Sequence, residues 1–469
     1  MTILPQASVY TADPAILELG DEFYDPVGAA DFPEAILRFR NDRWAETVGL
    51  AELDDAQWVS HFGRFEPLPD NLEQPLALRY HGHQFRNYNP DIGDGRGFLF
   101  AQLRDGPKEN GGRLLDLGTK GSGQTPYSRF GDGRLTLKGG IREVLATEML
   151  EALGVETSKS FSLIETGEAL ERNDEPSPTR SSVLVRLSHG HIRIGSFQRL
   201  ATLREPENMK KLLAYCLKHY FGEQPGDDGP VRLLDHVVRG GAKLAASYMT
   251  AGFVHGVLNS DNIAITTESF DYGPWRFTPQ WRPHFTAAYF DQNGLYSFAR
   301  QAEAIHWDIA QLAVSLRLIE DAEPLIATIE SFGDHYQDAY RERMLWRLGV
   351  EARGKKHDID LLTAIEKALL ESEVTIDRFF FDWRGGQRRG PSPADQDYQA
   401  DLFVDVAMKL ETYDNAAPRH SHWSGDAPCS MHIEELEAIW ARIDEADDWS
   451  DFDEKIATIR RMGEAMRFG

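Results

Sequence analysis

The stretch His255–Gly273, HGVLNSDNIAITTESFDYG, decides how the rest of the chain is interpreted. It places three oxygen-bearing side chains, Asp261, Asn262 and Asp271, on either side of a β-branched run at 263–267, which predicts a short strand. Carboxylate and amide oxygens on two turns suit a phosphate-bound Mg²⁺, because this hard ion takes few protein carboxylates and keeps its other positions for phosphate and water. The stretch therefore predicts a metal–nucleotide site.

Its spacing resembles the protein-kinase pairing of the catalytic loop, H-R-D-x-x-x-x-N, with D-F-G. His255 stands for the kinase His, Asn262 for the metal-binding Asn, and DYG at 271–273 for D-F-G. Val257 falls where a kinase has its base, and it cannot accept a proton, whereas an acid stands at Asp261. The pattern predicts a kinase scaffold without the phosphotransfer base. Taken singly, DN and DYG are also ordinary loop sequences.

A lysine and a glutamate upstream supply the second half of this pattern. Lys120 ends the apolar strand LLDLGTK, and Glu143 lies near the start of an amphipathic helix predicted over 141–153. This arrangement matches the kinase Lys–Glu pair that positions nucleotide phosphates. Asp132 and Gly133 lie between them and are expected to face the same pocket.

A glycine-rich turn is predicted between two strands where the sequence reads GDGR. Gly93 and Gly95 let backbone N–H groups approach a phosphate, and Arg96 can add charge-assisted hydrogen bonds. The alternative is a turn that only reverses a hairpin. Nearby, His81 and His83 are interpreted as local hydrogen-bonding groups rather than metal ligands.

Two arginines stand within apolar, β-branched sequence. Arg186 and Arg193 belong to the segment 181–197, which predicts two strands joined by a turn at 188–190. Arginines in such strands commonly pair with acids on neighbouring strands. In a nucleotide-binding protein they are also suited to hold terminal phosphates, because the guanidinium fork matches phosphate oxygens.

Composition and charge limit the kinds of protein that this sequence can encode. The chain has 469 residues, 41% of them hydrophobic, and a net charge of −25, which disfavours a nucleic-acid partner. No run approaches the ~18 apolar residues of a membrane span, and the N-terminus lacks a signal pattern, so a cytoplasmic location is expected. A monomer is expected as well. Cys216 and Cys429 leave room for one redox-sensitive pair at most. The spacing of HSH at 420–422 with Cys429 and His432 matches no common zinc pattern.

The order of patterns predicts an α+β, bilobal, protein-kinase-like fold. Helices predicted over 31–50 and 54–62 indicate a helical N-terminal extension, 1–75. Alternating, glycine-rich sequence then predicts a β-rich N-lobe at 76–200. Helical spacing predicts a C-lobe at 201–384, with helices over 207–220, 231–250, 301–320, 323–348 and 358–373. After a linker beginning at Gly385, a C-terminal helical extension is predicted over 385–469, with its helical segment at 432–466.

Several long motifs together resemble the selenoprotein O family. They are GHQF with GDGR, TKGSGQTPYSRFGDGR, IREVLATE, VLVRLSHGHIRIGSF, and HGVLNSDN with DYGP, and the similarity runs from Ala35 to Leu316. The resemblance implies a kinase-like protein that transfers AMP rather than phosphate to Ser, Thr or Tyr hydroxyls of proteins. It further implies that ATP binds inverted relative to kinases, with Mg²⁺ or Mn²⁺.

The resemblance also implies roles for individual residues. The nucleotide-binding residues would be Gly93, Gly95, Arg96, Lys120, Asp132, Gly133, Arg186, Arg193 and Asp271. Asp261 would accept the proton, Glu143 would pair with Lys120, and Asn262 and Asp271 would bind the metal. Two alternatives stay open: a phosphotransferase, which would need a base at Val257, and a non-catalytic nucleotide-binding module, which would not need all three oxygen ligands.

Overall fold

The computed structural model describes residues 9–106, 111–173, 175–414 and 419–467. The strands are β1 (Tyr24–Pro26), β2 (Ile36–Arg40), β3 (Leu76–Leu78), β4 (Gly82–Gln84), β5 (Asn87–Asn89), β6 (Leu99–Arg104), β7 (Leu114–Lys120), β8 (Leu135–Thr136), β9 (Lys159–Leu170), β10 (Thr179–Ser188), β11 (Phe253–Val254) and β12 (Arg276–Phe277). The helices are α1 (Asp42–Thr47), α2 (Asp55–Gly63), α3 (Leu137–Ala152), α4 (Ile194–Leu203), α5 (Pro206–Tyr220), α6 (Gly229–Ala251), α7 (Gln301–Leu316), α8 (Ala322–Glu330), α9 (Phe332–Leu348), α10 (Lys355–Leu370), α11 (Ile376–Asp382), α12 (Asp401–Leu410), α13 (Ile433–Ala446) and α14 (Ser450–Arg467). The predicted α+β class is confirmed.

The main sheet has eight strands, in the order β1-β3-β6-β7-β10-β9-β2, with β8 paired to β10. Neighbouring strands are antiparallel, and the register sets Leu184 of β10 opposite Lys120 of β7. Side chains alternate between two cores, because successive residues of a strand point to opposite faces. Val183 and Val185 pack with the aromatic cluster around Trp58, whereas Leu184 packs with α3 and the helical core.

Helix α3 lies against this sheet and carries Glu143. It begins at Thr136, whose hydroxyl accepts a hydrogen bond from the Gly139 N–H at 3.1 Å, as an N-cap does. The C-terminal helix α14 packs on α3, and Arg460 binds Glu148 with two hydrogen bonds of 2.8 Å. The orientation of α3 is therefore fixed by the sheet on one side and by α14 on another.

The helical part is organised around α6. This 23-residue helix packs against α7, α8 and α9, and its apolar residues Leu233, Val237 and Ala245 are fully buried. Helices predicted over 207–220, 231–250, 301–320 and 358–373 are confirmed as α5, α6, α7 and α10. The helix predicted over 323–348 is divided at Ser331 into α8 and α9.

The helix predicted over 31–50 is wrong. Residues 36–40 form β2, which pairs with β9, and only 42–47 are helical. The sequence ILRFR alternates apolar with charged residues, and the open edge of β9 supplies backbone partners that outweigh helix propensity. The expected helical N-terminal extension thus contributes strands β1 and β2 to the main sheet, while its second helix is confirmed as α2.

Two shorter strand predictions also fail. Segment 181–197 holds one strand rather than two, because β10 ends at Ser188 and Arg193 already caps α4. Residues 263–267 form no strand; Ala264 makes only an isolated bridge with Arg193. The glycine-rich turn lies between two strands, as predicted; it joins β5 to β6, which do not pair with each other, so the hairpin alternative does not apply.

The C-terminal region folds back onto the rest of the protein. Helices α13 and α14 confirm the helical segment predicted over 432–466. Cys216 and Cys429 are both buried and free, so they form no disulfide pair. Across the described residues, no His, Cys, Asp or Glu group is arranged to hold a metal by itself, and no helix is long and apolar enough to span a membrane.

Candidate functional site

A cleft of about 930 Å³ lies between the sheet and the helical part. Ten of the predicted site residues line it: Gly93, Gly95, Arg96, Lys120, Asp132, Gly133, Arg186, Arg193, Asp261 and Asp271. Glu143 and Asn262 do not line it. Residues far apart in the sequence therefore meet in one cavity, as the motif analysis predicted.

Lys120 lies at the centre of the cleft between two carboxylates. Its ammonium group binds the carboxylate of Glu143, which is 1% exposed, and donates to Asp271 Oδ1 at 2.7 Å. The Lys–Glu pair predicted from the sequence is present. An ion pair buried to this degree adds little net stability, so its consequence is a fixed orientation of the ammonium group.

Positively charged side chains surround the carboxylate of Asp271. Arg186 approaches its Oδ1 at 3.5 Å, in addition to Lys120. Burial alone would raise the pKa of Asp271, but the charges of Lys120, Arg186 and Arg96 outweigh it and hold the pKa well below its usual range. The residue also adopts a left-handed backbone conformation, with φ at 62°, which Asp and Asn tolerate better than most residues. Asp271 therefore presents an ionised carboxylate that two cations hold in place.

Asp261 differs in its environment from Asp271. Its side chain is 8% exposed, and Oδ1 is buried without a hydrogen-bond partner. Burial raises the pKa of Asp261 to about 6, although the nearby charge of Arg193 opposes this shift. A carboxylate whose pKa lies near neutrality, with a free oxygen, is suited to accept a proton.

Arg186 and Arg193 are ion-paired, but with carboxylates of the cleft instead of acids on a neighbouring strand. Arg193 donates to Asp94 Oδ1 at 3.3 Å and to the backbone carbonyl of Asp261 at 3.0 Å. Both guanidinium groups lie over the ring of Phe270, at 5.8 Å for Arg186 and 4.9 Å for Arg193. The two side chains are 5% and 4% exposed, so both guanidinium groups lie at the buried end of the cleft together with the carboxylates that pair with them.

Packing against Tyr127 requires a glycine at position 93 of the GDGR loop. A Cβ atom on Gly93 would lie 2.5 Å from the ring of Tyr127. Tyr127 in turn donates a hydrogen bond to Asp25, which ties the loop to β1. On the opposite wall Asp132 binds Arg172, with Nη1 to Oδ2 at 2.8 Å. These contacts fix the cleft walls without a ligand.

The oxygen donors of the cleft fit a hard divalent ion. Asp271 presents an ionised carboxylate, and the buried Oδ1 of Asp261 lacks a partner. Asn262 donates its amide N–H to the Val257 carbonyl at 3.0 Å, which leaves its side-chain oxygen as the group able to serve as a ligand. Asp271 would hold the ion; Asn262, the second predicted ligand, does not line the cleft.

Several lining residues were not predicted from the sequence. His191 lies in the cleft wall. Its backbone N–H donates to Asp116 Oδ2 at 2.8 Å, and its ring Nε2 is buried without a partner. The wall also contains Asp94, Phe130 and Tyr289. The sequence offers one signal for the His191 partner, because Asp116 stands inside the otherwise apolar strand LLDLGTK. It offers none for Phe130 and Tyr289, which lie on loops whose course the sequence does not determine.

Asp308 on α7 is an unusual buried acid near Asp261. It is 1% exposed, and both carboxylate oxygens are buried without partners. Burial, followed by the charge of Asp261, raises the pKa of Asp308 well above its usual value. The folded protein therefore keeps this proton at pH values where the unfolded chain has lost it.

The Asp308→Asn variant is expected to change how stability depends on pH. Because the pKa of Asp308 is raised on folding, wild-type stability falls as pH rises through the ordinary aspartate pKa, whereas Asn stays neutral. As pH rises above the ordinary aspartate pKa, the free energy of unfolding of the variant should increase relative to that of wild type. Urea unfolding at a series of pH values measures it, with Asp360→Asn at an exposed site as control. Parallel curves for wild type and Asp308→Asn would contradict the prediction.

Comparison with known proteins places this cleft in a class of enzyme. A family model described as "Protein adenylyltransferase SelO" matches residues 7–460. A "Protein nucleotidyltransferase YdiU" of Trichodesmium erythraeum is 42% identical over 468 residues, covering 94% of this chain and 96% of that protein. The protein of the same name from Synechococcus elongatus is 48% identical over 373 residues, covering 78% and 74%, respectively. That from Gloeobacter violaceus is 42% identical over 471 residues, covering 96% and 95%.

The chain is thus an enzyme of the nucleotidyltransferase class. It belongs to the SelO family, which confirms the resemblance to selenoprotein O found in the motifs. The match extends well beyond 35–316, where the motifs lie, and reaches into α14. The C-terminal helices are therefore part of the family's common chain.

Proposed function

We propose that this enzyme transfers AMP from ATP to a Ser, Thr or Tyr hydroxyl of a protein. The single observation that carries the proposal is the distribution of charge in the cleft. Two buried arginines and Lys120 occupy its closed end, where they suit a polyphosphate and not a neutral base. ATP would then lie inverted relative to kinases, with the γ-phosphate at Arg186 and Arg193.

In this pose the α-phosphate lies toward the acceptor. The acceptor oxygen forms a bond to the α-phosphorus, the α–β phosphoanhydride bond breaks, and pyrophosphate leaves. Asp261 takes the hydroxyl proton, since its free oxygen and a pKa of about 6 match a general base. Mg²⁺ or Mn²⁺ bound at Asp271 and Asn262 would supply charge neutralisation at the phosphates. Lys120, held by Glu143, orients the phosphate chain.

We also propose that the chain has the bilobal, protein-kinase-like architecture expected from its motifs. The sheet with α3 would be the N-lobe, about 76–200, and the helices α4–α11 the C-lobe, about 201–384. Residues 1–75 and 385–469 would be extensions. The Lys–Glu pair between β7 and α3, and Asp271 across the cleft from it, support this assignment.

Transfer of label from ATP to protein distinguishes AMP transfer from phosphate transfer. Incubated with ATP labelled separately at the α- and γ-phosphates, the enzyme is expected to label protein from the α position alone, because Val257 cannot serve as a phosphotransfer base. Intact-mass analysis should show the addition of AMP. Label from the γ position would establish a phosphotransferase instead, and tight ATP binding with no transfer of either label would establish a nucleotide-binding module.

Removal of Arg186 is expected to weaken ATP binding without weakening AMP binding. A charge-assisted contact contributes roughly 1.5–3 kcal/mol, so Arg186→Ala should weaken ATP binding about ten- to a hundredfold. AMP affinity should hardly change, since AMP has no γ-phosphate. Calorimetric titration of both nucleotides measures the difference. Arg180→Ala is a matched control, because Arg180 lies on the same strand and pairs with Glu165 away from the cleft.

Equal losses for ATP and AMP in Arg186→Ala would show that this arginine only maintains the wall of the cleft. Arg193→Ala is a less clean variant, because Arg193 also holds the backbone carbonyl of Asp261. It is expected to lower both ATP affinity and the free energy of unfolding.

A further inference from the structure

The aromatic side chains that the protein leaves exposed are concentrated around the cleft. Among the described residues, the exposed aromatic side chains are Tyr88, Phe130, Tyr289 and Phe290. Phe130 is fully exposed and Tyr289 is 84% exposed, and both line the cleft. Singly exposed apolar side chains are ordinary on a protein surface, but two exposed aromatic rings that line the same cavity suit a ligand with a flat, π-faced group.

The two rings come from different parts of the fold. Phe130 lies on the loop between β7 and β8, which belongs to the sheet, whereas Tyr289 lies between β12 and α7 in the helical part. The base of the Phe130 loop is held in place, because the Gly131 N–H donates to the Ser128 carbonyl at 2.7 Å and the Ser128 hydroxyl donates to the Gly95 carbonyl. The position of Phe130 is therefore coupled to the GDGR loop.

Tyr289 is coupled to the turn that carries Asp261. Its ring contacts Phe290 edge-on, with centroids 5.1 Å apart, and Phe290 contacts Phe85 at 5.9 Å. The Phe85 N–H donates to Asn259 Oδ1 at 3.0 Å, and Asn259 lies two residues before Asp261. A chain of aromatic contacts thus places Tyr289 relative to the reacting end of the cleft.

The cleft is polarised in a way that matches the two ends of a nucleotide. Lys120, Arg186 and Arg193 are 3–5% exposed, so the buried end carries three cationic groups beside the carboxylates proposed to hold a metal or to accept a proton. Phe130 and Tyr289 provide an exposed aromatic end. A triphosphate requires the first and a planar base is stabilised by the second, because every nucleobase has a π-face that stacks on aromatic rings.

We infer that Phe130 and Tyr289 form the base-binding site of the cleft, stacking on the adenine of ATP. This inference rests on the proposed inverted binding of ATP, which puts the triphosphate at the buried arginines and the base at the mouth. Neither ring takes part in the chemistry. Both set the affinity for the nucleoside end and the position of the α-phosphate beside Asp261.

Binding of three probes tests this inference: ATP, AMP and inorganic tripolyphosphate, which has no base. Phe130→Ala and Tyr289→Ala are each expected to weaken ATP and AMP binding about ten- to a hundredfold and to leave tripolyphosphate binding unchanged. Tyr88→Ala, an exposed aromatic outside the cleft, should change none of the three affinities. Arg186→Ala should give the opposite pattern, with loss of ATP and tripolyphosphate but not of AMP.

A conservative variant gives a spectroscopic signal. Phe130→Trp keeps an aromatic ring at a fully exposed position, where the larger side chain meets no packing constraint. ATP and AMP are expected to retain wild-type affinity and to quench the new indole fluorescence, whereas tripolyphosphate should not quench it. Binding without quenching would overturn the stacking assignment.

The outcomes separate the inference from the proposed function. Unchanged ATP and AMP affinity in Phe130→Ala and Tyr289→Ala, together with a raised KM for the protein acceptor, would overturn the inference and make the rings a docking surface for that acceptor. Equal losses for all three probes would overturn it too, since loss of the cleft's shape would produce the same result. Failure of wild type to transfer α-label would contradict the proposed function and would leave the binding measurements interpretable by themselves.

Discussion

Asp261→Asn is expected to slow AMP transfer by on the order of 10²–10⁴, while metal-dependent ATP affinity stays close to that of wild type. The amide keeps the size of the carboxylate but cannot take the acceptor proton. Single-turnover transfer from α-labelled ATP measures the rate, and calorimetry measures the affinity. The raised pKa of this residue, about 6, and the unpartnered Oδ1 are the structural basis of the expectation.

A parallel loss of ATP affinity in Asp261→Asn would contradict the assignment of Asp261 as a base. It would mean that the carboxylate binds the metal or the phosphates. The stability of Asp261→Asn to denaturant can also be measured. Replacing a buried carboxylate whose pKa is raised removes an unfavourable charge at neutral pH. Asp261→Asn should therefore unfold at no lower denaturant concentration than wild type, which excludes misfolding as the cause of slow transfer.

Asp271→Asn is expected to abolish transfer and also to remove metal-dependent ATP binding. The change deletes the negative charge that balances Lys120 and Arg186, and it removes the carboxylate proposed for the metal. Asn is preferred to Ala here because the backbone φ of 62° is left-handed, which Asn accepts with little strain. Titration of ATP with and without Mg²⁺ is the measurement.

The two variants are matched controls for each other, since each converts one aspartate of the cleft to asparagine. Loss of binding confined to Asp271→Asn, with loss of rate in both, is the expected combination. Normal metal-dependent ATP binding by Asp271→Asn would show that the ion is held elsewhere. A lower free energy of unfolding in this variant is expected as well, because Lys120 and Arg186 then share a site with fewer counter-charges.

The fold could be predicted where a local pattern and its tertiary partners agree. The helices α5, α6 and α10 follow from apolar spacing alone, because one face of each packs on the core. The strand β2 could not be found this way: its five residues alternate weakly, and it becomes a strand because β9 offers an edge about 125 residues later in the chain. The residues 263–267 are β-branched, but without a neighbouring strand they form a turn.

The cleft could be predicted where motifs carry their own chemistry. Lys120, Glu143 and Asp271 belong to a spacing that is typical of kinase-like nucleotide sites, and the structure brings them into contact. Asn262 and Glu143 show the limit of this reasoning, since a motif names a residue without saying whether its side chain reaches the cavity. Phe130 and Tyr289 have no motif at all, because exposure is decided by the course of long loops.

The helix that carries Glu143 is enclosed on both sides, and this has a consequence for control of the enzyme. In protein kinases the helix that carries the glutamate of the Lys–Glu pair is a point of regulation, and α3 would be its counterpart in the architecture proposed above. Here Arg460 of the last helix anchors Glu148 of α3, and Asn41 donates to the same carboxylate. The Lys120–Glu143 pair is thus restrained by α14, so a chain truncated before α14 would lose this restraint on a pair that lies about 300 residues upstream.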